Sequence, residues 1–229
     1  MAEHTVKAFD EDIDKLRGLI AEMGGRAESG IDQSMNALIR RDAKAVGEII
    51  AGDKRIDELE AQIEKLVIQT IALRAPMAND LREVVAALKI AGVVERIGDY
   101  AKNIAKRIPM IADRRNLEPL SLLPAMGQIA GEMVHDALNA FSARDADLAI
   151  AVVERDKVVD DFYNSIFRTL LTYMAENPKM ISESAHLLFI AKNIERIGDH
   201  ATNVAEMVYY AATGQYLPER ERLDMPTDE

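Results

Sequence analysis

The segment Glu95–Asp99, with the sequence ERIGD, returns unchanged at Glu195–Asp199, 100 residues further along the chain. The match extends to both sides, because residues 90–105 and 190–205 share the pattern I-A-x-x-x-E-R-I-G-D-x-A-x-N-x-A. Self-similarity at a fixed period is the sequence signature of a repeat architecture. The chain is therefore predicted to contain two copies of one structural unit.

A second match lies upstream of the first in each half. Asp53–Asp57 and Asp156–Asp160 share the pattern D-K-x-x-D at an offset of 103 residues. The difference of three residues between the two offsets is close to one helical turn, which a helical hairpin can absorb. Both matches together indicate two copies of a three-helix unit.

Apolar residues recur every three to four positions along almost the whole sequence, a spacing typical of helices. Proline disfavours a helical conformation in the residue before it, so the scarce prolines predict where helices end. The fold class predicted is all-α, with two tandem three-helix bundles. Six long helices are predicted at residues 5–39, 43–74, 78–113, 120–142, 146–176 and 179–213. The predicted domains are a first bundle at 1–113, a second bundle at 114–213 and a flexible C-terminal tail at 214–229.

The composition excludes several classes of protein. With 48% hydrophobic and 29% charged residues among 229, the chain can bury a core. It has no cysteine, which excludes disulfides and thiolate metal ligands. A formal net charge of −11 disfavours binding to nucleic acid. Because it lacks a long apolar run and an apolar secretory signal, we expect a cytoplasmic protein without a membrane span.

Each half carries two acidic pairs at i and i+4, which lie on one face of a helix. Glu95 and Asp99 point away from the apolar stripe of their own helix. Asp57 and Glu95 both lie 19 residues from Pro76 at the turn of the first hairpin, and Asp53 and Asp99 both lie 23 residues from it. Residues equidistant from the turn of an antiparallel pair sit at the same height, and the second half repeats this geometry about its own turn. Four carboxylates are thus predicted to meet in each half.

Four like charges at one height destabilise the helices that carry them. Bound cations would relieve this repulsion, and a ligand set made only of oxygens favours Mg²⁺, Mn²⁺ or iron. A solvated acidic face is the structural alternative. No organic cofactor is expected. The predicted metal ligands are Asp53, Asp57, Glu95 and Asp99 in the first half, and Asp156, Asp160, Glu195 and Asp199 in the second.

Two Glu-x-x-His motifs offer a rival site. Glu132 with His135, and Glu183 with His186, could contribute to a di-iron centre in a helical bundle. Neither motif has a counterpart at the equivalent positions of the other half, and His186 falls on the apolar side of its helix. Histidines at the edge of the core are the preferred interpretation. A metal-dependent helical oxidoreductase or metal store remains the alternative function.

Two further positions of the repeated motif carry structural expectations. Arg96 and Arg196 are expected to pair with acids on their own helices. Gly98 and Gly198 each cost about 1 kcal/mol inside a helix, which indicates a close helix approach or room for a ligand. Close packing is the preferred interpretation. The chain contains no Walker P-loop, no His-Glu-x-x-His and no Gly-x-Ser-x-Gly motif. We therefore expect a protein that is not an enzyme.

The doubled E-R-I-G-D-x-A-x-N motif resembles the PhoU family. The segment Arg74–Arg82, with the pattern R-x-P-x-x-x-D-L-R, is also similar to the first repeat of that family. The resemblance covers about residues 5–213. One departure lies at the second turn, where Glu176–Lys179 is not followed by a counterpart of Asp80–Arg82.

This resemblance implies a cytoplasmic regulator that holds off the phosphate-starvation response when phosphate is plentiful. Its implied partners are the ATPase subunit of the phosphate-specific ABC transporter and a membrane sensor histidine kinase. Family members bind metal clusters through paired acidic motifs, which correspond here to the eight carboxylates named above. We expect a homodimer that binds no nucleic acid and reaches the membrane only through its partners.

Overall fold

The computed structural model of the protein describes residues 2–111 and 121–218, with side chains from residue 7 onward. These residues form six α-helices and no strand, which confirms the predicted all-α fold. Short 3-10 helices cover Ile108–Met110 and Pro178–Met180. The α-helices are α1 Ala2–Arg40, α2 Val46–Arg74, α3 Asn79–Arg107, α4 Leu123–Ala143, α5 Ala146–Glu176 and α6 Ile181–Thr213.

The helices end close to the predicted breaks. Ala75 and Arg144 adopt left-handed backbone conformations that end α2 and α4. Asp145 begins α5 by accepting hydrogen bonds from the backbone amides of Asp147 and Leu148. The third helix is shorter than predicted, because the chain tightens into a 3-10 helix beside Pro109.

The fourth helix is also shorter than predicted. It starts at Leu123 and has only 21 residues, with a proline in its first turn. Residues 112–120, which include the proposed domain boundary, lie outside the described part of the chain. Most of the predicted flexible tail, residues 219–229, lies outside it as well.

The helices of the two repeats pack on one another through their equivalent elements, since α1 contacts α4 and α3 contacts α6. Gly24 on α1 faces the side chain of Leu138, and Gly127 on α4 faces that of Met35. Both the two glycines and the two large residues are related by the repeat offset of 103 residues. This reciprocal packing shows that α1 and α4 run antiparallel about an approximate two-fold axis.

The same antiparallel arrangement relates α3 and α6. The guanidinium of Arg107, at the end of α3, lies 4.5 Å from the ring centroid of Phe189 near the start of α6. At the other end of this pair, Arg82 in the first turn of α3 approaches Gly214 directly after α6. One continuous core therefore joins the repeats, while α2 packs against α1 and α3, and α5 against α4 and α6.

In the described ranges, none of the helices combines the length and the apolar character that crossing a membrane requires.

Candidate metal centre

The two repeated glycines bring paired helices close together beside the predicted ligands. A Cβ atom on Gly98 would lie 2.7 Å from the Cδ1 atom of Ile56 and 3.2 Å from Asp53 Oδ1. In the second repeat, a Cβ atom on Gly198 would lie 3.6 Å from Asp156 Oδ1. The prediction that these glycines permit a close helix approach is confirmed, and each of them sets a carboxylate against the backbone of the neighbouring helix.

The structure brings together the carboxylates predicted for the first repeat, which we call the first cluster: Asp53, Asp57, Glu95 and Asp99. Burial raises the pKa of Glu95, and the negative charges of the other three members raise it further. Glu95 on α3 is thus within electrostatic range of Asp99 on its own helix and of Asp53 and Asp57 on α2.

Glu60 also acts on this cluster, and sequence reasoning missed it. Its charge contributes to the raised pKa of Glu95. Burial raises the pKa of Glu60 itself, as does the charge of Asp57. The signal was available in the sequence, because Glu60 lies three residues after Asp57 and seven after Asp53, on the same face of α2.

A lysine that was not predicted lies inside the first cluster. The Nζ atom of Lys102 forms ion pairs with Asp53 on α2 and with Asp99 on its own helix. Burial alone would lower the pKa of this ammonium group, yet its hydrogen bonds to Asp53 and Asp99 raise it above the ordinary value. Lys102 therefore supplies a permanent positive charge to the first cluster.

The second cluster comprises Asp156, Asp160, Glu195 and Asp199. Burial raises the pKa of Asp199 to about 6, and the negative charges of Glu195, Asp156 and Asp160 act in the same direction. Lys192 opposes this shift. Its Nζ atom donates a hydrogen bond to Glu195 Oε1 at 2.5 Å. Asp199 is therefore within electrostatic range of the other three carboxylates predicted for the second repeat.

Because Glu95 and Asp99 point away from the apolar stripe of their helix, the sequence predicts that both clusters lie on the surface rather than in the core. This prediction is wrong for one member of each cluster. Asp53 and Asp156 are only 7% and 8% exposed, whereas the other six carboxylates are half-buried or exposed. Asp53 lies between Ile49 and Ile56 on the buried stripe of α2. The apolar stripe of α3 does lie opposite its acidic residues, but that of α2 includes Asp53.

The chemistry of these residues fits a cation bound by oxygen atoms. Asp53 Oδ1 and Glu195 Oε2 are buried and accept no hydrogen bond. A buried carboxylate oxygen without a partner is costly, and a hard cation would satisfy it. As placed, however, no three His, Cys, Asp or Glu side chains among residues 7–111 and 121–218 form a group that could hold a metal ion. A bound ion would therefore require the carboxylates to draw closer together.

The two Glu-x-x-His motifs do not converge. His135 Nδ1 lies 3.0 Å from Glu28 Oε2 on α1, at a cleft of about 670 Å³ between α1 and α4. His186 Nδ1 instead lies 3.5 Å from Arg107 Nη1 at the end of α3. A guanidinium beside a ligand nitrogen disfavours a bound metal ion. His186 thus lies half-buried at the edge of the core, as expected, whereas the side chain of His135 is exposed. The two motifs do not form a shared di-iron centre.

Arg196 makes a contact between the repeats that the sequence did not predict. It donates a hydrogen bond of 3.4 Å to the hydroxyl group of Tyr100, and its guanidinium lies 5.8 Å from the ring centroid of that residue. The charges of Glu195 and Asp199 on its own helix also act on Arg196 and raise its pKa. The expected acids of α6 are therefore within electrostatic range, while the hydrogen bond goes to α3 of the other repeat, which packs against α6.

The fold and the site together define the class of protein. It is an all-α repeat protein with two tandem three-helix bundles, and one helix pair of each bundle carries a carboxylate cluster. The PhoU domain family matches the chain twice, at residues 20–108 and 123–208. The chain therefore belongs to the PhoU family, which confirms the resemblance seen in the sequence.

Relatives match this chain over nearly its full length. A phosphate-specific transport system accessory protein PhoU homolog from Zymomonas mobilis is 53% identical over 96% of this chain and 92% of that protein. The homolog from Caulobacter vibrioides is 45% identical over 98% of this chain and 99% of that protein. The crystal structure of PhoU from Pseudomonas aeruginosa has a TM-score of 0.87 at 34% identity, covering 90% of this chain and all of that one.

Proposed function

We propose that the protein is a non-catalytic negative regulator of phosphate uptake and of phosphate-starvation signalling. It would couple the ATPase subunit of the phosphate-specific ABC transporter to the membrane sensor histidine kinase. The observation that carries this proposal is the near full-length similarity to proteins named as accessory proteins of the phosphate-specific transport system. In this proposal the protein acts in the cytoplasm as a homodimer, binds no nucleic acid and reaches the membrane only through its partners.

The shape and charge of the protein support a docking role. Long paired helices offer wide, rigid faces of the kind that bind partner proteins. A formal net charge of −11 favours partners with basic surfaces, because complementary charge steers their encounter. Such binding is expected to weaken as the salt concentration rises.

An exposed apolar patch at the end of the first hairpin supports the same role. Such patches mark interaction sites when they are contiguous, and an apolar centre with a polar rim is the usual anatomy of an interface. This hairpin end also carries the Arg74–Arg82 segment that resembles the family. The exposed apolar side chains there are Ile68, Ile71, Leu73, Met77 and Leu81.

The proposal includes metal binding by the carboxylate clusters. Carboxylate oxygens are the ligands that Mg²⁺, Mn²⁺ and iron accept, and the buried, unpartnered oxygens of Asp53 and Glu195 support a positively charged partner for these carboxylates. A bound ion would neutralise repelling carboxylates and hold together the two helices that carry its cluster. It would thereby stiffen the helical faces offered to partners.

The decisive test is deletion of the gene in cells grown in excess phosphate, with starvation-gene expression and phosphate uptake as readouts. Loss of the regulator should derepress starvation genes, and the intact gene should restore repression. Full repression in the deletion strain, in the absence of a second gene copy, would contradict the proposal and favour the metal-store alternative.

A second arm tests the docking surface. The double variant Met77→Asp/Leu81→Asp places charges on the exposed patch and should fail to restore repression. Met110→Asp is the matched control, because Met110 is also exposed but lies at the other end of α3. Circular dichroism should show that both variants remain folded. Equal complementation by both variants would remove this patch from the proposal.

A further inference from the structure

The two clusters differ at one equivalent position of the repeat. Lys102 of the first repeat corresponds to Thr202 of the second at the offset of 100 residues. The side chain of Lys102 is 20% exposed, and its ammonium group bridges Asp53 and Asp99 across the α2–α3 contact. Thr202 is buried, and its Oγ1 atom has no hydrogen-bond partner. The first cluster thus contains a fixed cation at a position that holds a neutral group in the second.

The second cluster receives its lysine from a different position. Lys192 corresponds to Gly92 of the first repeat, and it donates to Glu195 three residues along the same helix. Its side chain is 43% exposed, about twice the value for Lys102. It also lies 5.1 Å from the ring centroid of Tyr163. Lys192 therefore approaches its cluster from the solvent-facing side, whereas Lys102 lies between the two helices.

We infer that Lys102 is the resident cation of the first cluster and takes the place of a metal ion there, so that metal binds preferentially to the second cluster. This inference rests on the proposed metal binding. An ammonium group that already neutralises Asp53 and Asp99 removes most of the electrostatic gain that a second cation would obtain. A metal ion would also have to displace the ammonium group or remain beside a like charge.

Mn²⁺ binding to the full chain tests the inference, with equilibrium dialysis giving the stoichiometry and calorimetry the affinity. Lys102→Met removes the charge but keeps an unbranched stem, and Lys106→Met is the control on an exposed position of the same helix. Lys102→Met should create a Mn²⁺ site that is absent from wild type and from the control. Lys102→Arg, which keeps the charge, should behave as wild type.

A substitution in the second cluster tests the inference even if Lys102→Met does not fold. Thr202→Lys places a cation at the equivalent position of the second cluster and should weaken Mn²⁺ binding there about tenfold or more. Combining Lys102→Met with Asp99→Asn or with Asp199→Asn should then identify which cluster holds each ion. The new site of Lys102→Met should disappear with the first of these substitutions and persist with the second.

Each possible result of the Mn²⁺-binding measurements either supports or overturns the assigned role of Lys102. Two equal sites in wild type, unchanged in Lys102→Met, would overturn it and leave the proposed metal binding intact. Binding by Lys102→Met but not by wild type would support the role of Lys102 and remove the second cluster from the proposed function. An absence of Mn²⁺ binding in all variants would overturn both.

Discussion

Tyr100 and His200 occupy the same position of the two repeats, and their rings meet edge to face with centroids 5.1 Å apart and planes at 76°. The two residues lie on α3 and α6, so the approximate two-fold axis passes between them. The arginines of the repeated motif surround this contact. Arg196 donates to the Tyr100 hydroxyl group, and the charge of Arg96 acts on the His200 ring.

Tyr100→Ala should lower the free energy of unfolding by about 1–3 kcal/mol, because it removes a packed ring and its aromatic contact. Tyr100→Phe keeps the ring and loses only a long hydrogen bond, so its loss should stay below about 1 kcal/mol. Urea denaturation measures both values. Equal losses in the two variants would show that the hydroxyl group, rather than the ring, holds the repeats together.

Gly127→Ala should destabilise the contact between α1 and α4. The added Cβ atom would lie 2.8 Å from Met35 Cγ, and overpacking of this kind costs about 1–3 kcal/mol. Gly25→Ala is the matched control, because a Cβ atom added at this position of α1 would have no atom of another helix within 4 Å. Since alanine favours a helix over glycine, the control should gain up to about 1 kcal/mol. Thermal unfolding distinguishes the two, and a gain in both variants would contradict the close packing.

The pH dependence of stability should reveal the buried charge of the second cluster. The pKa of Asp199 is raised to about 6 from an ordinary 3.8. Its contribution to stability is therefore fully present below pH 3.8 and is lost as the pH rises through about 6. Asp199→Asn should be more stable than wild type at pH 8, on the order of 1 kcal/mol because solvent screens part of the effect.

This difference between Asp199→Asn and wild type should shrink as the pH falls from 7 to 4. Urea denaturation in the presence of a chelator measures it without interference from metal ions. His200 acts in the opposite direction, because burial lowers its pKa, but it is present in both proteins. A difference that stays constant with pH would contradict the raised pKa of Asp199.

The features that sequence predicted correctly depend on local geometry. Proline positions located the helix ends, and the distances from Pro76 located the first cluster, because both follow from the regular rise of a helix. The bridge from Lys102 to Asp53 could not be predicted in this way. It depends on how closely α2 and α3 approach at Gly98, which is a property of the packed hairpin.

Contacts between the repeats could not be predicted from the sequence for a related reason. Arg196 was expected to pair with an acid on its own helix, but it contacts Tyr100 on α3. That choice depends on the antiparallel docking of α3 on α6, which neither the motif nor its spacing specifies. The burial of Asp53 could, by contrast, have been predicted, because Asp53 lies between Ile49 and Ile56 on the apolar stripe of α2.

Metal binding should depend on the carboxylates of the repeated motif. The variant Glu95→Ala/Asp99→Ala, combined with Glu195→Ala/Asp199→Ala, removes two ligands from each cluster. Alanine is a strong helix former and relieves charge repulsion, so the variant should remain folded. Its metal content after purification without chelators should fall to background, as measured by elemental analysis.

The matched control removes equally acidic but uninvolved side chains. Glu58 and Glu154 are exposed on α2 and α5, and Glu58→Ala/Glu154→Ala lowers the negative charge without changing either cluster. If metal is held only by the general negative charge of the surface, its content should fall in both variants in proportion to the charge removed. If the clusters hold it, the control should keep the wild-type content. Unchanged metal content in the four-site variant would refute the assignment of these ligands.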